Sequence, residues 1–580
     1  MRIYSNIIIF IFSFFCYSQI NYVDQASILG INKNTGSVFF GGKGASFVDY
    51  NNDGFDDITL ATNYNQSVIF YKNLDGIFFI EESLLPNSLQ PLYEMRSVIW
   101  VDYDNDNDKD LFITSSADGN RLFKNNNGIL VDVTSLSGLP IDNLNTFGAS
   151  FGDYNNDGCL DIYVSNRIGG TLITNYLFKN NCNGTFTDVT VQSGLDDTTY
   201  LSHCSAFFDY NNDGYQDLYI ANDKNAPNFM YKNNGDGTFT DVSIASGTNI
   251  IVDAMSVTID DYNSDGYFDI FITNTPEVIS TNYAPGTVLL KNNGDETFTD
   301  ITDTANVSLD SYTWGSNFLD AENDGDLDLY INSQYTSLDN YPSYGFYENN
   351  NGMFSVPSSL GFLTNDYKSY ASAIGDFNND GATDIISNND DDQIPSLWVN
   401  NSTITNNYLA VKLEGINSNK DGIGSKIEIS VNGNKQYRYI LCGEGYLSQN
   451  SFKEIFGIGS STSVDYIKID WLSGITDIFY NISANQILNI VEGSSSTLEI
   501  SNDNKDNIKI FPNPSKNIVS ISNNHNINSI LLINSLGQKV FRKVVNTSIV
   551  NLDVSDFSAG VYTIQIHTDY GIKTKKIIKQ

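Results

Sequence analysis

Apolar and polar residues alternate with period two along most of this 580-residue chain. The runs are too short for helices and are bounded by turn-forming residues, which is the pattern of half-buried strands. Ala45-Ser46-Phe47-Val48 leads into an acidic turn, and Ile162-Tyr163-Val164-Ser165 leads out of another. A third run, Met230-Tyr231-Lys232-Asn233-Asn234, ends at Gly235-Asp236-Gly237, and a fourth, Thr238-Phe239-Thr240-Asp241-Val242, follows. Related turns stand at Lys179-Asn180-Asn181-Cys182-Asn183-Gly184 and Lys291-Asn292-Asn293-Gly294-Asp295. The pattern predicts units of four strands in about fifty residues, with the acidic turn as the first hairpin. Such units arranged radially make a β-propeller, and seven of them suffice to close one.

The acidic turn recurs seven times at intervals of 51 to 59 residues. Oxygen-bearing side chains stand at its positions 1, 3, 5 and 9, with Gly usually at 6. Alternate residues of a tight loop converge, so this spacing offers oxygens to a hard cation such as Ca²⁺, which takes six to eight of them. Glycine at 6 permits the sharp turn. Position 7 varies in side chain, as expected if only its carbonyl matters. The predicted ligands are Asp49, Asn51, Asp53, Phe55 and Asp57 in loop 1, and Asp102, Asp104, Asp106, Asp108 and Asp110 in loop 2. Loop 3 offers Asp153, Asn155, Asp157, Cys159 and Asp161; loop 4, Asp209, Asn211, Asp213, Tyr215 and Asp217. Loop 5 offers Asp261, Asn263, Asp265, Tyr267 and Asp269; loop 6, Asp320, Glu322, Asp324, Asp326 and Asp328; loop 7, Asp376, Asn378, Asp380, Ala382 and Asp384. An EF-hand needs an acidic residue at position 12. Here that slot is Leu60, Ile113, Val164, Ile220, Ile272, Ile331 or Ser387, inside a strand. Loop 2 lacks the glycine (Asn107) and loop 6 has Glu322 at position 3, so these two sites are expected to be weak or rearranged. Up to seven Ca²⁺ ions are expected, in a structural role.

The last repeat reaches Leu397-Trp398-Val399-Asn400 with no fourth strand of its own, whereas Ile20 to Ser27 resembles a fourth strand and its turn. The N-terminal segment is therefore expected to complete the seventh sheet, which also removes an exposed edge. Beyond Asn406 the pattern changes. Strands at Tyr408 to Leu413, Lys426 to Val431 and Tyr466 to Trp471 read as a small β domain. The expected fold is all-β: a signal peptide (1–18), a seven-bladed β-propeller (19–403), a small β domain (404–492), a polar linker (493–507) and a C-terminal Ig-like β-sandwich (508–580).

Net charge is −38, and 23 carboxylates at positions 1, 3, 5 and 9 of the loops supply much of it. That sign argues against nucleic acid or an anionic membrane as partner. The 35 Tyr and 35 Phe exclude a disordered acidic tail. Arg2 and the apolar run Ile7 to Phe15 read as a secretory signal cleaved after Ser18; Cys16 lacks the small preceding residues of a lipoprotein. No later segment is apolar enough to span a membrane. The remaining cysteines are Cys159, Cys182, Cys204 and Cys442. Cys159 and Cys182 fall in two turns at the same end of one repeat, so a disulfide between them is open, with four free, mostly buried thiols as the alternative.

The loops, their strands and the Lys-Asn-Asn-Gly turn together resemble FG-GAP/VCBS repeats, the family that also builds the integrin α-subunit propeller, over about residues 20 to 403. The resemblance implies calcium in the hairpins and an adhesive or ligand-binding propeller. Ser418-Asn419, Gly422-Ile423-Gly424, Gly443-Glu444-Gly445-Tyr446-Leu447-Ser448-Gln449, Phe456-Gly457-Ile458-Gly459, Asp470-Trp471 and Ser473-Gly474 resemble the ASPIC/UnbV domain. Propeller plus this domain resembles the cartilage acidic protein family, whose members are extracellular and calcium-binding. Ile510-Phe511-Pro512-Asn513-Pro514, Ser535-Leu536-Gly537-Gln538-Lys539-Val540, Ser558-Ala559-Gly560-Val561-Tyr562 and Lys575-Lys576-Ile577-Ile578 are similar to type A sorting domains of the Bacteroidetes type IX secretion system. This implies export across the outer membrane, removal of the tail, and release or surface attachment; a generic carbohydrate-binding sandwich is the alternative.

Only three histidines exist, and His525 and His567 lie in the tail. His203 alone makes a His-metal cluster or a Ser-His triad hard to assemble. The expectation is a secreted or surface-displayed protein that binds a glycan or protein ligand and is not an enzyme. The irregular stretches Thr336 to Tyr347 and Pro276 to Pro285 are the candidate ligand loops, on the face opposite the hairpins. A polysaccharide lyase or glycosidase, needing only carboxylates or a Lys/Arg base in a cleft, is the alternative.

Overall fold

The computed structural model describes residues 20–37, 40–85, 94–167, 173–195, 200–224, 226–275, 286–333, 344–357, 360–362, 367–495, 508–534, 538–568 and 571–580. The signal peptide, most of the 493–507 linker, Pro276 to Pro285 and most of Thr336 to Tyr347 lie outside the described residues. Residues up to Ser495 belong to one compact unit and those from Ser496 to another.

In the first unit each acidic loop is the first hairpin of its own sheet of four antiparallel strands, to which the sheet of loop 1 adds a fifth, parallel strand, giving an all-β, propeller-like arrangement. The sheet of loop 4 is typical. Ser202–Phe208, Asp217–Asn222, Phe229–Asn233 and Phe239–Asp241 pair in sequence order. Its first two strands are buried along their whole length and its last strand only at Phe239. That gradient explains why period two is clear in the later strands and blurred in the first two, which are covered on both faces. The only helices among the described residues are single turns, Ser243–Ser246 and Thr302–Ala305.

The sheet of loop 7 is completed from the other end of the unit. Tyr22–Asp24 pairs antiparallel with Ser396–Asn400, with Tyr22 opposite Asn400 and Asp24 opposite Trp398. Tyr22 is fully buried and its ring stacks on Phe362 at 5.0 Å. The N-terminal segment thus fills the missing fourth position, as its sequence suggested.

Residues 408–495 form two small sheets. Lys453–Gly457, Tyr408–Glu414 and Ile487–Val491 make one; Asn434–Tyr439, Lys426–Val431, Ser463–Asp470 and Thr476–Ser483 make the other. Leu409, Val411, Ile427, Ile467 and Trp471 share one buried apolar cluster with Trp100, Val101 and Phe151. This common core joins the segment to the repeats within one unit.

The C-terminal unit is a separate antiparallel sheet of Lys509–Phe511, Ile518–Asn534, Lys539–Asp553, Gly560–Thr568 and Gly571–Lys579. The two longest strands pair with register shifts that bend them. Val519, Ile521, Ile530, Leu532, Ile564 and Ile566 anchor its core.

Candidate metal centres and a filled channel

Each acidic loop is wound around its first aspartate. The N–H of position 5 donates to one oxygen of Asp49, Asp102, Asp153, Asp209, Asp261, Asp320 or Asp376. The N–H of position 6 donates to the other oxygen. Position 4 takes positive φ, as at Asn52 (57°) and Ser264 (57°), and that reversal brings positions 1, 3 and 5 onto one side. In loop 2, carboxylate oxygens of Asp102, Asp104 and Asp106 lie within 4.8 Å of one another.

Position 9 is buried at the base of each hairpin, where one oxygen accepts a backbone N–H from the third strand. The donors are Asn73, Asn125, Asn180, Asn233, Asn292, Asn349 and Asn400. Burial overrides this donor, and neighbouring carboxylates add to it. Asp57 and Asp110 are pushed up to about 9, and Asp161, Asp217, Asp269, Asp328 and Asp384 well above the usual carboxylate range. Asp104 Oδ1, Asp110 Oδ2, Asp161 Oδ2 and Glu322 Oε2 are buried without a hydrogen-bond partner. Such clusters are electrostatically incomplete. Oxygen-only donors, convergence at positions 1, 3 and 5, a buried carboxylate at 9, and the orphaned oxygens of Asp110 and Asp161 in loops 2 and 3 fit a hard divalent cation. In loop 2, Lys124 Nζ bridges Asp104 and Asp106, at 3.0 Å from the latter. The equivalent Lys72, Lys179 and Lys291 stand 3.3–3.6 Å from position 5.

Two sets of asparagines join the loops to one another. The third-strand asparagines also send Nδ2 to a neighbouring sheet: Asn73 to the Phe377 carbonyl, Asn233 to Tyr154, Asn292 to Tyr210 and Asn400 to Ala321. At position 4, Asn52, Asn105, Asn156, Asn212, Asn323 and Asn379 each donate to the position-6 carbonyl of another loop, at 2.9–3.2 Å. The bond from Asn379 returns to Gly54 of loop 1. Ser264 of loop 5 is too short to make this bond. Ser264→Asn is expected to add the missing link to Gly325 and to relieve the left-handed backbone, stabilising the unit by about 1 kcal/mol. A thermal melt with no gain in Tm would count against this reading of the belt.

Cys159 and Cys182 form a disulfide, with Cα atoms 5.6 Å apart, while Cys204 and Cys442 are buried free thiols. The bond ties position 7 of loop 3 to the turn after the third strand. Replacing both cysteines by serine should cost about 3 kcal/mol. A calcium titration should then show one weakened site and the others unchanged; equal weakening of all sites would refute the local role.

The segment 442–451 enters the space enclosed by the first strands of the sheets and touches each of them. Phe151 N–H donates to the Cys442 carbonyl at 3.0 Å, and Gly445 and Val257 exchange backbone bonds. Leu447 packs in one cluster with Cys204. Ser448–Gln449 pairs in parallel with Ala45 and Ser46. Gln449 bonds both backbone groups of Trp100, at 2.7 and 2.6 Å. Asn450 Oδ1 accepts from Asn317 and from the Ile374 N–H. Tyr446, fully buried, donates to the Gly41 carbonyl at 2.6 Å and packs 5.3 Å from Trp314. Four lysines tie the acidic loops to residues 408–495. Lys109 pairs with Asp421, Lys412 with Asp49 at 3.1 Å, Lys453 with Asp56 at 3.4 Å, and Lys426 donates to the Gly266 carbonyl at 2.6 Å.

His203 lies beside Tyr446, fully buried, with Nδ1 3.2 Å from the Ala254 carbonyl. Burial, helped by Arg167, pushes its pKa down to about 3, so the ring stays neutral at physiological pH. It is a packed residue, as a lone histidine more often is.

A family model described as "FG-GAP-like repeat" matches residues 49–113, 102–164 and 209–272. "ASPIC and UnbV" matches 415–497, and "Secretion system C-terminal sorting domain" matches 509–580. The chain therefore carries all three modules, and the last marks it for type IX export to the cell surface or extracellular space. Cartilage acidic protein 1 of Xenopus tropicalis is 26% identical over 275 residues, which is 45% of this chain and 40% of that protein. The Homo sapiens protein is 26% identical over 192 residues, 32% and 27% respectively. The matched region thus spans less than half of either relative. Among solved structures, the extracellular domain of a hybrid two component system from B. thetaiotaomicron aligns with TM-score 0.37 and 14% identity, covering 94% of this chain and 65% of its own. An ancestral GH74 enzyme aligns with TM-score 0.37 and 10% identity, covering 94% and 64%. No helix among the described residues is long and apolar enough to cross a membrane.

Proposed function

We propose that this chain is an exported, calcium-stabilised binding protein built on a closed seven-bladed β-propeller, followed in sequence by an Ig-like sorting domain. Its role is adhesion to, or capture of, an extracellular glycan or protein. One observation carries the reading. All seven loops wind around their first aspartate and bury a carboxylate at position 9, whose pKa burial and neighbouring carboxylates raise in every loop. Bound Ca²⁺ supplies the charge that cancels this repulsion. The chain's own atoms at positions 1, 3, 5, 7 and 9 hold the ion, and the asparagine belt couples each site to its neighbours. Extracellular calcium is millimolar, which suits sites of this kind even when individually weak. Loop 2, where Lys124 competes for the same oxygens, is the weakest site.

Ligand binding is the use that an exported ring without a convergent catalytic set among the described residues serves best. The purified mature protein is expected to bind a component of a glycan and matrix-protein array in calcium and to lose that binding in EDTA. Cleavage of a polysaccharide by the same sample, or no binding to any component, would overturn this function.

A further inference from the structure

Loops 4 and 5 face the small sheet that contains Lys426–Val431 across a cleft of about 750 Å³. That volume lies in the range of small-ligand sites, which favour domain junctions. We infer that this cleft binds a short stretch of a neutral polysaccharide. The inference deepens the ligand-binding reading above and rests on it, but it moves the ligand from the loops opposite the hairpins to the hairpin face itself.

Position 7 supplies only a carbonyl to the loop, so nothing in ion binding selects its side chain. Five loops carry Phe55, Asp108, Cys159, Asp326 and Ala382 there, whereas the two that border this cleft both carry tyrosine. Tyr215 and Tyr267 are half-buried and line the cleft. Each lies against the glycine of a third-strand turn. A Cβ at Gly235 would sit 2.9 Å from the Tyr215 ring, and one at Gly294 2.8 Å from the Tyr267 ring. The glycines let the rings settle onto the turns and hold them in place. From the opposite wall comes Tyr437, over whose ring Lys426 Nζ stands at 4.9 Å. Lys426 is itself fixed by the Gly266 carbonyl at 2.6 Å and Asn212 Oδ1 at 2.8 Å. Further along lies the half-exposed pair Lys468–Asp470, 2.6 Å apart.

Aromatic rings fixed beside hydrogen-bonding side chains suit a sugar. Its C–H face packs on a ring and its hydroxyls reach both donors and acceptors. A protein partner would instead require an apolar interface centre, and Leu472 is the only aliphatic side chain among the lining residues. Of the lining carboxylates, Asp209, Asp213 and Asp265 are taken up by the ions of loops 4 and 5, which leaves Glu428 and Asp470 to balance Lys426 and Lys468 on a chain of net charge −38. The cleft thus offers a polyanion no excess of positive charge, which leaves a neutral chain as the occupant.

The test uses the full mature protein in calcium, with neutral β-glucan, mannan, xylan and galactan as probes and alginate and a matrix-protein array as controls. Wild type is expected to bind at least one neutral polysaccharide in affinity electrophoresis. Tyr215→Ala combined with Tyr267→Ala should weaken that binding at least about tenfold, and Tyr215→Phe combined with Tyr267→Phe should retain it. Tm and the number of bound calcium ions should stay unchanged. Asp470→Asn, at an exposed side chain, gives a second variant expected to reduce affinity without touching the loops. Unchanged polysaccharide binding by the alanine pair, or binding to alginate or a protein alone, overturns the cleft while leaving the binding-protein reading standing. No binding to any probe or array component overturns both.

Discussion

Stripping divalent ions from the purified protein with EDTA is expected to lower its melting temperature by roughly 15 °C or more, and millimolar calcium to restore it. A ligand at a hundredfold excess over its Kd contributes about 2.7 kcal/mol per site. Up to seven such sites on one unit should therefore move Tm by far more than any single substitution. The effect depends on pH, with a definite sign. In the ion-free fold Asp57 and Asp110 are pushed up to about 9, chiefly by burial, whereas in the unfolded chain they titrate near the ordinary aspartate value of about 4. The folded state then holds these protons more tightly, so protonation favours folding at low pH. That contribution is lost as pH rises from about 4 towards 9. Calorimetry in EDTA should show Tm falling between pH 5 and pH 8, with a flatter profile in calcium. Metal analysis of the replenished protein should return six or seven ions per chain. A Tm at pH 8 indifferent to EDTA would refute the metal reading of every loop.

Tyr446→Ala should destabilise the first unit by about 3–5 kcal/mol, the range for removing a fully buried aromatic side chain. The ring contacts Trp314 and His203, and its hydroxyl reaches the Gly41 carbonyl. Deletion leaves a cavity at the axis, where the packed first strands have little room to collapse. Tyr446→Phe should cost only about 1–2 kcal/mol, the loss of one buried hydrogen bond. Urea melts of the three proteins distinguish this filled channel from a loosely draped segment, for which all three would melt alike.

The loops were legible because their logic is local: nine residues fix the spacing, the turn and the oxygens. The completing strand was legible for a related reason, since Tyr22-Val23-Asp24 repeats the pattern of Phe239-Thr240-Asp241. The joints between sheets were not. Asn52 and Asn379 stand in plain view in the loops, but their acceptors belong to other repeats, at Asn107 and at Gly54. Gly443 to Gln449 read as a family marker, and nothing in its composition says that it fills an axis. It is shaped by seven strands that come together only in the assembled unit. Lys109, Lys412, Lys426 and Lys453 likewise look like ordinary surface lysines until the loops and residues 408–495 fold against each other. The disulfide could be raised from the chain but not decided, because two turns at one end of a sheet need not approach within bonding distance.

The strand that completes the loop 7 sheet sets the order of events during folding. Tyr22 and Asn400, directly opposed in that sheet, are 378 residues apart in sequence. Such a contact has a high loop-closure cost and forms late. Until it forms, the edge at Ser396–Asn400 stays open to pairing with another chain. Refolding should therefore show a slow, concentration-sensitive final phase, and a synthetic peptide copying residues 20–27 should occupy that edge in the intermediate and trap it.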